Sequence, residues 1–331
     1  MARDEREVVA TPSLDGTRAG ERRAVPRLIN RLRPAPLESL GSLLERLRVA
    51  NHYQERGWLG GLLRRHPERP EVLRRVEDFQ TLEALTGLGQ ADLIGLTLHR
   101  FAPWYGVAQR APRPALPAVV PIALWPDIGG GENTREAAAV CPACWRERPV
   151  ILVPWWLHHL TACPRHLILL RQRCAGCEAP LRLTAGQVGC GQCGAAIGAM
   201  ATRSIARDAD EVELSALLWR ATGCVEGAYP PEGLTLVAGH PLRRLGTPAL
   251  LAGVWGYAQM RVARDRGPQL QTVDSALVHE ALAAAWQALR AWPTRGGAPF
   301  PLPLGQRGRV AVAVGEGSGR RRAARATERP V

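Results

Sequence analysis

The chain has 331 residues and is 46% hydrophobic, enough for two or three domains with their own cores. Its 43 basic residues against 30 acidic ones leave a formal charge of +13, which points to a polyanionic partner, most simply nucleic acid. The first 20 residues hold no sustained apolar run, and the longest apolar stretch, Pro114 to Pro126, is cut by four prolines in 13 residues. This argues against a secretory signal and a bilayer span, so the expected location is the cytoplasm, where thiols stay reduced.

Residues 1–24 read as a disordered, charged leader. A helical N-terminal domain is expected over 25–110. It begins with an extended basic segment, Pro26 to Pro36, that carries Arg27, Arg31 and Arg33. From Leu37 the pattern turns helical, with Leu40, Leu43, Leu44 and Leu47 on one stripe, and Asn51 to Gly57 ends it. A second helical stretch is read over Glu71 to Phe79. Leu82, Leu85, Leu88, Leu93 and Leu96 then carry the spacing of a helix-turn-helix with Gly87 at the turn. Its second, recognition helix would be Gln90 to Leu98. Gln90, Asp92, Thr97 and Arg100, with Arg31 and Arg33, are the candidate contacts to nucleic acid or a partner. A helical hairpin that touches no DNA would show the same stripe.

A Pro/Gly-rich linker, 111–137, leads to a compact module at 138–200. Seven of the eight cysteines and one histidine fall here into four two-residue clips: Cys141-Pro-Ala-Cys144, Cys163-Pro-Arg-His166, Cys174-Ala-Gly-Cys177 and Cys190-Gly-Gln-Cys193. Each clip presents two soft ligands across a tight turn, as one knuckle of tetrahedral Zn²⁺ requires. Eight ligands make two closed four-ligand sites. A closed site leaves no position for water or substrate, so the two zinc ions are expected to be structural. Chain order pairs the first clip with the second across 18 residues and the third with the fourth across 12. Chain order is the simplest pairing, and a cross-braced one, first with third and second with fourth, also stays open. Trp155 to Leu160 reads as a short linking helix with core tryptophans. His158 and His159 lack clip spacing, and Cys224 reads as an ordinary buried thiol.

A C-terminal helical domain is expected over 201–295, with helices at Asp208 to Thr222, Pro248 to Arg261 and Val278 to Trp292. Residues 296–331 form a basic tail, read as solvated disorder, whose last 26 residues hold seven arginines and two glutamates. The fold class is therefore mainly α around a small zinc-ribbon module. Walker-type phosphate loops, nucleophile elbows and spaced acidic constellations are missing from the sequence, so no enzyme is expected.

Three runs together resemble the TniQ/TnsD family. They are Cys141-Pro-Ala-Cys-Trp145, Trp155-Trp-Leu-His-His-Leu-Thr-Ala-Cys-Pro-Arg-His166 and Arg173-Cys-Ala-Gly-Cys-Glu-Ala-Pro-Leu181. Leu32 to Leu44 resembles the family's N-terminal helix signature, and Leu82 to Phe101 its helix-turn-helix region. The resemblance is close over about 27–200 and loose over 205–293. It implies a non-enzymatic accessory protein of transposition that selects the target, directly on DNA or by docking on a CRISPR effector complex. It further implies recruitment of an AAA+ ATPase regulator and a transposase complex, with the eight clip residues as metal ligands. Monomer and homodimer both stay open. The alternative from the same residues is a stand-alone zinc-ribbon and helix-turn-helix transcription regulator acting at its own operator.

Overall fold

The computed structural model describes residues 27–55, 76–105, 138–224, 253–258 and 275–291, with single positions between them. The leader, the 111–137 linker and the basic tail lie outside the described residues. Among the described residues the fold is mostly helical, and its sheet is one two-stranded antiparallel pair. No helix among them is long and apolar enough to cross a membrane.

Helix α1, Leu40–Ala50, starts where Ser39 caps it by accepting from the Ser42 amide, three residues after the expected start at Leu37. Leu40, Leu43, Leu44 and Leu47 are buried, as the stripe requires. Helix α2 is Val76–Thr86, so the stretch read over Glu71 to Phe79 starts later and runs on into the leucine pattern. Gly87 makes the turn at φ +74°, and α3 follows at Gln90–Gly95. The recognition helix is therefore shorter than expected. Thr97 donates its hydroxyl to Ile94 O, and the chain tightens into a 3₁₀ segment at Leu98–Tyr105. Leu28, Leu82, Leu85, Leu93 and Leu96 close one core with the α1 leucines.

The lead-in to α1 is fastened to the cysteine-rich module. Ser39 N–H donates to Ile151 O at 2.8 Å, and Val153 N–H donates to Leu37 O at 2.8 Å. The Ser42 hydroxyl oxygen accepts from Ile151 N–H at 3.1 Å. Between these bonds sits Glu38, fully buried, which accepts from Ala35 N–H, the Ser42 hydroxyl and the Arg46 guanidinium.

In the module, helix α4, Pro142–Glu147, begins at the first clip with Pro142 in its first turn. Trp155 to Leu160 is not a helix. Val153–Trp156 forms one 3₁₀ turn and Leu157 is extended. Trp155, Leu157, His158, His159 and Leu160 are buried and Trp156 is half-buried, so the segment lacks the broad polar face of an amphipathic helix. Strands β1, Ala162–Cys163, and β2, Ile168–Leu169, make the hairpin of the second clip.

Helix α5, Ala209–Ala221, is capped by Asp208, which accepts from the Asp210 and Glu211 amides. Helix α6, Ser275–Arg290, packs along it, and Arg290 pairs with Asp210 and Glu213. Residues 253–258 are helical; the rest of the Pro248 to Arg261 stretch lies outside the described residues. One apolar core joins the module to these helices, from Trp145, Trp155 and Leu160 to Leu214, Trp219, Trp255, Leu282 and Trp286. Trp219 seals the join by donating its indole N–H to Ala162 O at 2.8 Å.

A polar thread also crosses this join. Thr161 Oγ1 and His279 Nδ1 are hydrogen-bonded at 2.7 Å, and Arg203 forks onto Glu211 beside them. Burial first, then the Arg203 charge, push His279 down to about 4, so it is neutral in the fold. Its unfolded value, near 6.5, is higher. The stability that depends on neutral His279 is therefore complete above about pH 6.5 and is lost as pH falls toward 4. Unfolding of wild type and His279→Gln by urea at pH 7.5 and 5 is expected to show the wild-type advantage shrinking at pH 5.

Candidate metal centres

The four clips meet in two groups, in chain order: Cys141, Cys144, Cys163 and His166 in one, and Cys174, Cys177, Cys190 and Cys193 in the other. Within each group the ligand atoms lie within 4.8 Å of one another. The sequential pairing is thus the one the fold brings together, and the cross-braced alternative is set aside.

The distances separate metal from disulfide chemistry. Cys144 Sγ and Cys163 Sγ are 3.7 Å apart, Cys174 and Cys193 Sγ 3.6 Å, and Cys177 and Cys190 Sγ 3.8 Å. A disulfide needs about 2.05 Å. A tetrahedron with Zn–S near 2.3 Å and Zn–N near 2.0 Å has S···S edges of about 3.8 Å and S···N edges of about 3.5 Å. His166 Nδ1 lies 3.4, 3.2 and 3.6 Å from the Cys141, Cys144 and Cys163 sulfurs, so it faces the same centre. Both donor sets fit a tetrahedral, thiophilic ion such as Zn²⁺.

The local sequence builds each clip as a turn. The residue after the second ligand takes positive φ in three of them: Leu167 at 52°, Glu178 at 56° and Gly194 at 75°. The chain then folds back. Glu178 N–H donates to Cys174 O and Gly194 N–H to Cys190 O, with Arg173 bridged to Pro180 and Gly189 to Ala196. Gly189 is needed because a Cβ there would stand 2.5 Å from Gly194 O. The first clip enters α4 instead. Amides point at the leading sulfurs: Cys144 N–H to Cys141, Gly176 N–H to Cys174 and Gln192 N–H to Cys190.

These contacts favour the thiolate at Cys141 and Cys190, whereas neighbouring thiols push Cys144, Cys163 and Cys177 up. The Cys193 and Gln192 amides bring Cys190 down to about 7. The Cys144 and Cys163 thiols hydrogen-bond to Cys141 and hold it down to about 3. A thiolate is the form that ligates metal.

The two groups differ in setting. Cys141 and Cys163 are buried in the main core, whereas Cys177 and Cys193 are exposed. The groups are docked together: Trp145, from the first clip's helix, donates its indole N–H to Gln187 O at 2.8 Å, and Gly198 lets Ile197–Ala199 press against α4.

Sequence reasoning passed over Glu147. Its Oε1 lies 3.0 Å from His166 Nε2, and Arg165 pairs with its other oxygen at 2.5 Å. With Nδ1 turned to the sulfurs, this carboxylate fixes the ring and its tautomer. Its position at the end of α4, six residues past Cys141, was the available signal. Glu147→Ala is expected to weaken metal binding at the first group by roughly 10- to 100-fold while leaving the four-cysteine group unchanged. Titration against a competing chelator measures both.

His158 and His159 are buried against Trp255, with centroids 6.4 and 6.5 Å away, outside both ligand groups. Cys224 is a buried thiol, raised to about 11 by desolvation.

The six candidate contact residues are placed unevenly. Asp92, Arg31 and Arg33 are exposed, and Gln90 is half-buried at the start of α3. Thr97 is fully buried, and its hydroxyl bonds Ile94 O and receives His99 N–H. It is a turn residue, and the expectation that it meets a partner is corrected. Arg100 caps α3 through Gly95 O and lies over the Phe101 ring.

No curated protein matches the chain. The TniQ family model matches residues 30–170, a span that starts just before α1 and closes after the first ligand group. The motifs at Cys141–Trp145 and Trp155–His166 fall inside that span, so over residues 30–170 the chain is similar to the TniQ family, whose domain is associated with target selection in transposition.

Proposed function

We propose that this protein is a non-catalytic target-selection adaptor of transposition. The observation that carries the reading is that the TniQ match ends inside a module with two closed, tetrahedral donor sets. Cys141, Cys144, Cys163 and His166 hold one structural zinc ion, and Cys174, Cys177, Cys190 and Cys193 hold the other. Neither set leaves an open position for chemistry, so the ions serve to hold helices in place. The chain divides into helical domain 25–110, metal module 138–200 and helical domain 201–295, and it works in the cytoplasm. One surface meets target DNA, directly or through a CRISPR effector complex. Another recruits an AAA+ ATPase and, through it, the transposase complex.

The arginine-rich charge and the α2–α3 hairpin support the DNA arm of this reading. The test is capture of the AAA+ ATPase encoded beside this gene by the zinc-loaded full chain, with a target duplex present or absent, and the insertion profile in its host. Capture and a skewed profile are expected. Tight binding to one operator without any ATPase would instead establish a transcription regulator.

A further inference from the structure

A cleft of about 470 Å³ opens where the lead-in to α1 meets the metal module. Its walls are Pro34 and Pro36 on one side and Pro149 and Val150 on the other, and Arg33, Arg46 and Arg148 stand around it. The three guanidiniums come from three segments far apart in sequence: the extended lead-in, α1 and the end of the first clip's helix. Glu38 offsets only part of this charge. It is fully buried and already binds Arg46, Ser42 and Ala35 N–H. Arg33 and Arg148 are exposed and make no side-chain ion pair among the described residues. The site is stiff as well as basic, with three prolines in its walls, Arg46 pinned to Glu38 at 2.6 Å, and Gly186 N–H bonded to Pro149 O. One pinned and two unneutralised guanidiniums around a stiff wall are arranged for an anion.

We infer that this cleft binds a phosphate of a nucleic-acid backbone. Guanidinium forks match phosphate oxygens. Prolines carry no N–H, so the walls give an extended peptide little main chain to pair with. The basic path also continues. Arg31, two residues before Arg33 on the same extended segment, lies against Gly87 at the α2–α3 turn, its Nη1 2.8 Å from where a Cβ would stand. A strand passing the hairpin is thereby led to the cleft. The inference rests on the nucleic-acid arm of the proposed function, and it adds the position and residues of one contact.

The test uses the zinc-loaded full chain, an unrelated-sequence DNA duplex, inorganic phosphate and a polyglutamate peptide. The variants are Arg33→Gln with Arg148→Gln together, and the paired lysine substitutions. Both residues are exposed and structurally unengaged, so metal content and circular dichroism should match wild type; Arg46 is left alone because it holds Glu38. In the glutamine pair, affinity for duplex is expected to fall roughly tenfold at moderate salt, and the slope of log K against log salt to drop by about one. The lysine pair should keep most of the slope. Inorganic phosphate, at constant ionic strength, should compete with duplex for wild type and lose that effect in the glutamine pair. Unchanged affinity and slope in a folded glutamine pair would overturn the assignment. So would polyglutamate binding lost alone, which would give the cleft to an acidic protein. Failure of ATPase capture with the slope still falling would sink the adaptor reading and leave the cleft standing. Absence of any duplex binding by wild type in low salt would sink both.

Discussion

Replacing Cys163 with serine, or stripping metal with a chelator, is expected to unfold the module and to loosen α5 and α6 with it. Structural zinc contributes on the order of 10 kcal/mol to the folding of a small module, comparable to the whole stability of a domain. The effect should spread because Cys141 and Cys163 belong to the same core as Trp155, Leu214 and Trp286, and because Ala162, beside Cys163, accepts the Trp219 indole bond. Metal content, near-ultraviolet dichroism and the urea transition together read the outcome. A Cys163→Ser chain that kept two metal ions and its wild-type transition would contradict the ligand assignment. Cys193→Ser should be milder in reach, since Cys193 is exposed while Cys163 lies inside the core.

The second large effect is expected at Glu38. Glu38→Ala removes the acceptor of three donors at once; the Ser42 hydroxyl is buried in the joint between α1 and the module, and Ala35 N–H is half-buried there. An orphaned buried donor costs about 1–3 kcal/mol, and breaking a buried ion pair on one side about 3–5 kcal/mol. Arg46 is about a third exposed and can turn to water, so the sum should settle near 3 kcal/mol. The freed Ser42 hydroxyl also loses its hold beneath Ile151 N–H. Hydrogen exchange should therefore quicken at the Ile151 and Ser39 amides while the metal groups stay loaded. Glu38→Gln keeps the shape and one acceptor and should cost less. Equal exchange rates in wild type and Glu38→Ala would show that the joint is held by the backbone bonds alone.

Much of the metal chemistry was legible because ligand type and two-residue spacing are local properties. The eight residues of the clips are the eight that converge. Their pairing was legible only as the simpler of two, since gaps of 18 and 12 residues also permit a cross-braced arrangement; the chain-order grouping is held by tertiary contacts such as the β1–β2 hairpin and the Trp145–Gln187 bond. Helices α1 and α5 were readable from leucine stripes and from the Asn51 and Asp208 ends. Trp155 to Leu160 misled because a short, almost wholly buried run carries no clear period. The early stop of α3 came from side-chain competition, with the Thr97 hydroxyl taking Ile94 O. Glu38 and Glu147 looked like any other acids, since what gives them roles is which distant donors surround them.

The joint between the lead-in and residues 151–153 also orders the events of synthesis. The Ser42–Ile151 bond spans 109 residues and the Thr161–His279 bond 118, whereas the ligand groups close over 25 and 19 residues. Short loops close at lower entropic cost and faster than long ones. As the chain leaves the ribosome, the Glu38 carboxylate is expected to stay in water until Ile151 and the first clips have emerged. The nascent metal module thus becomes the template on which the earlier helices dock from one side and the later helices from the other. On the proposed zinc occupancy, metal supply during translation is then expected to govern the yield of correctly joined protein.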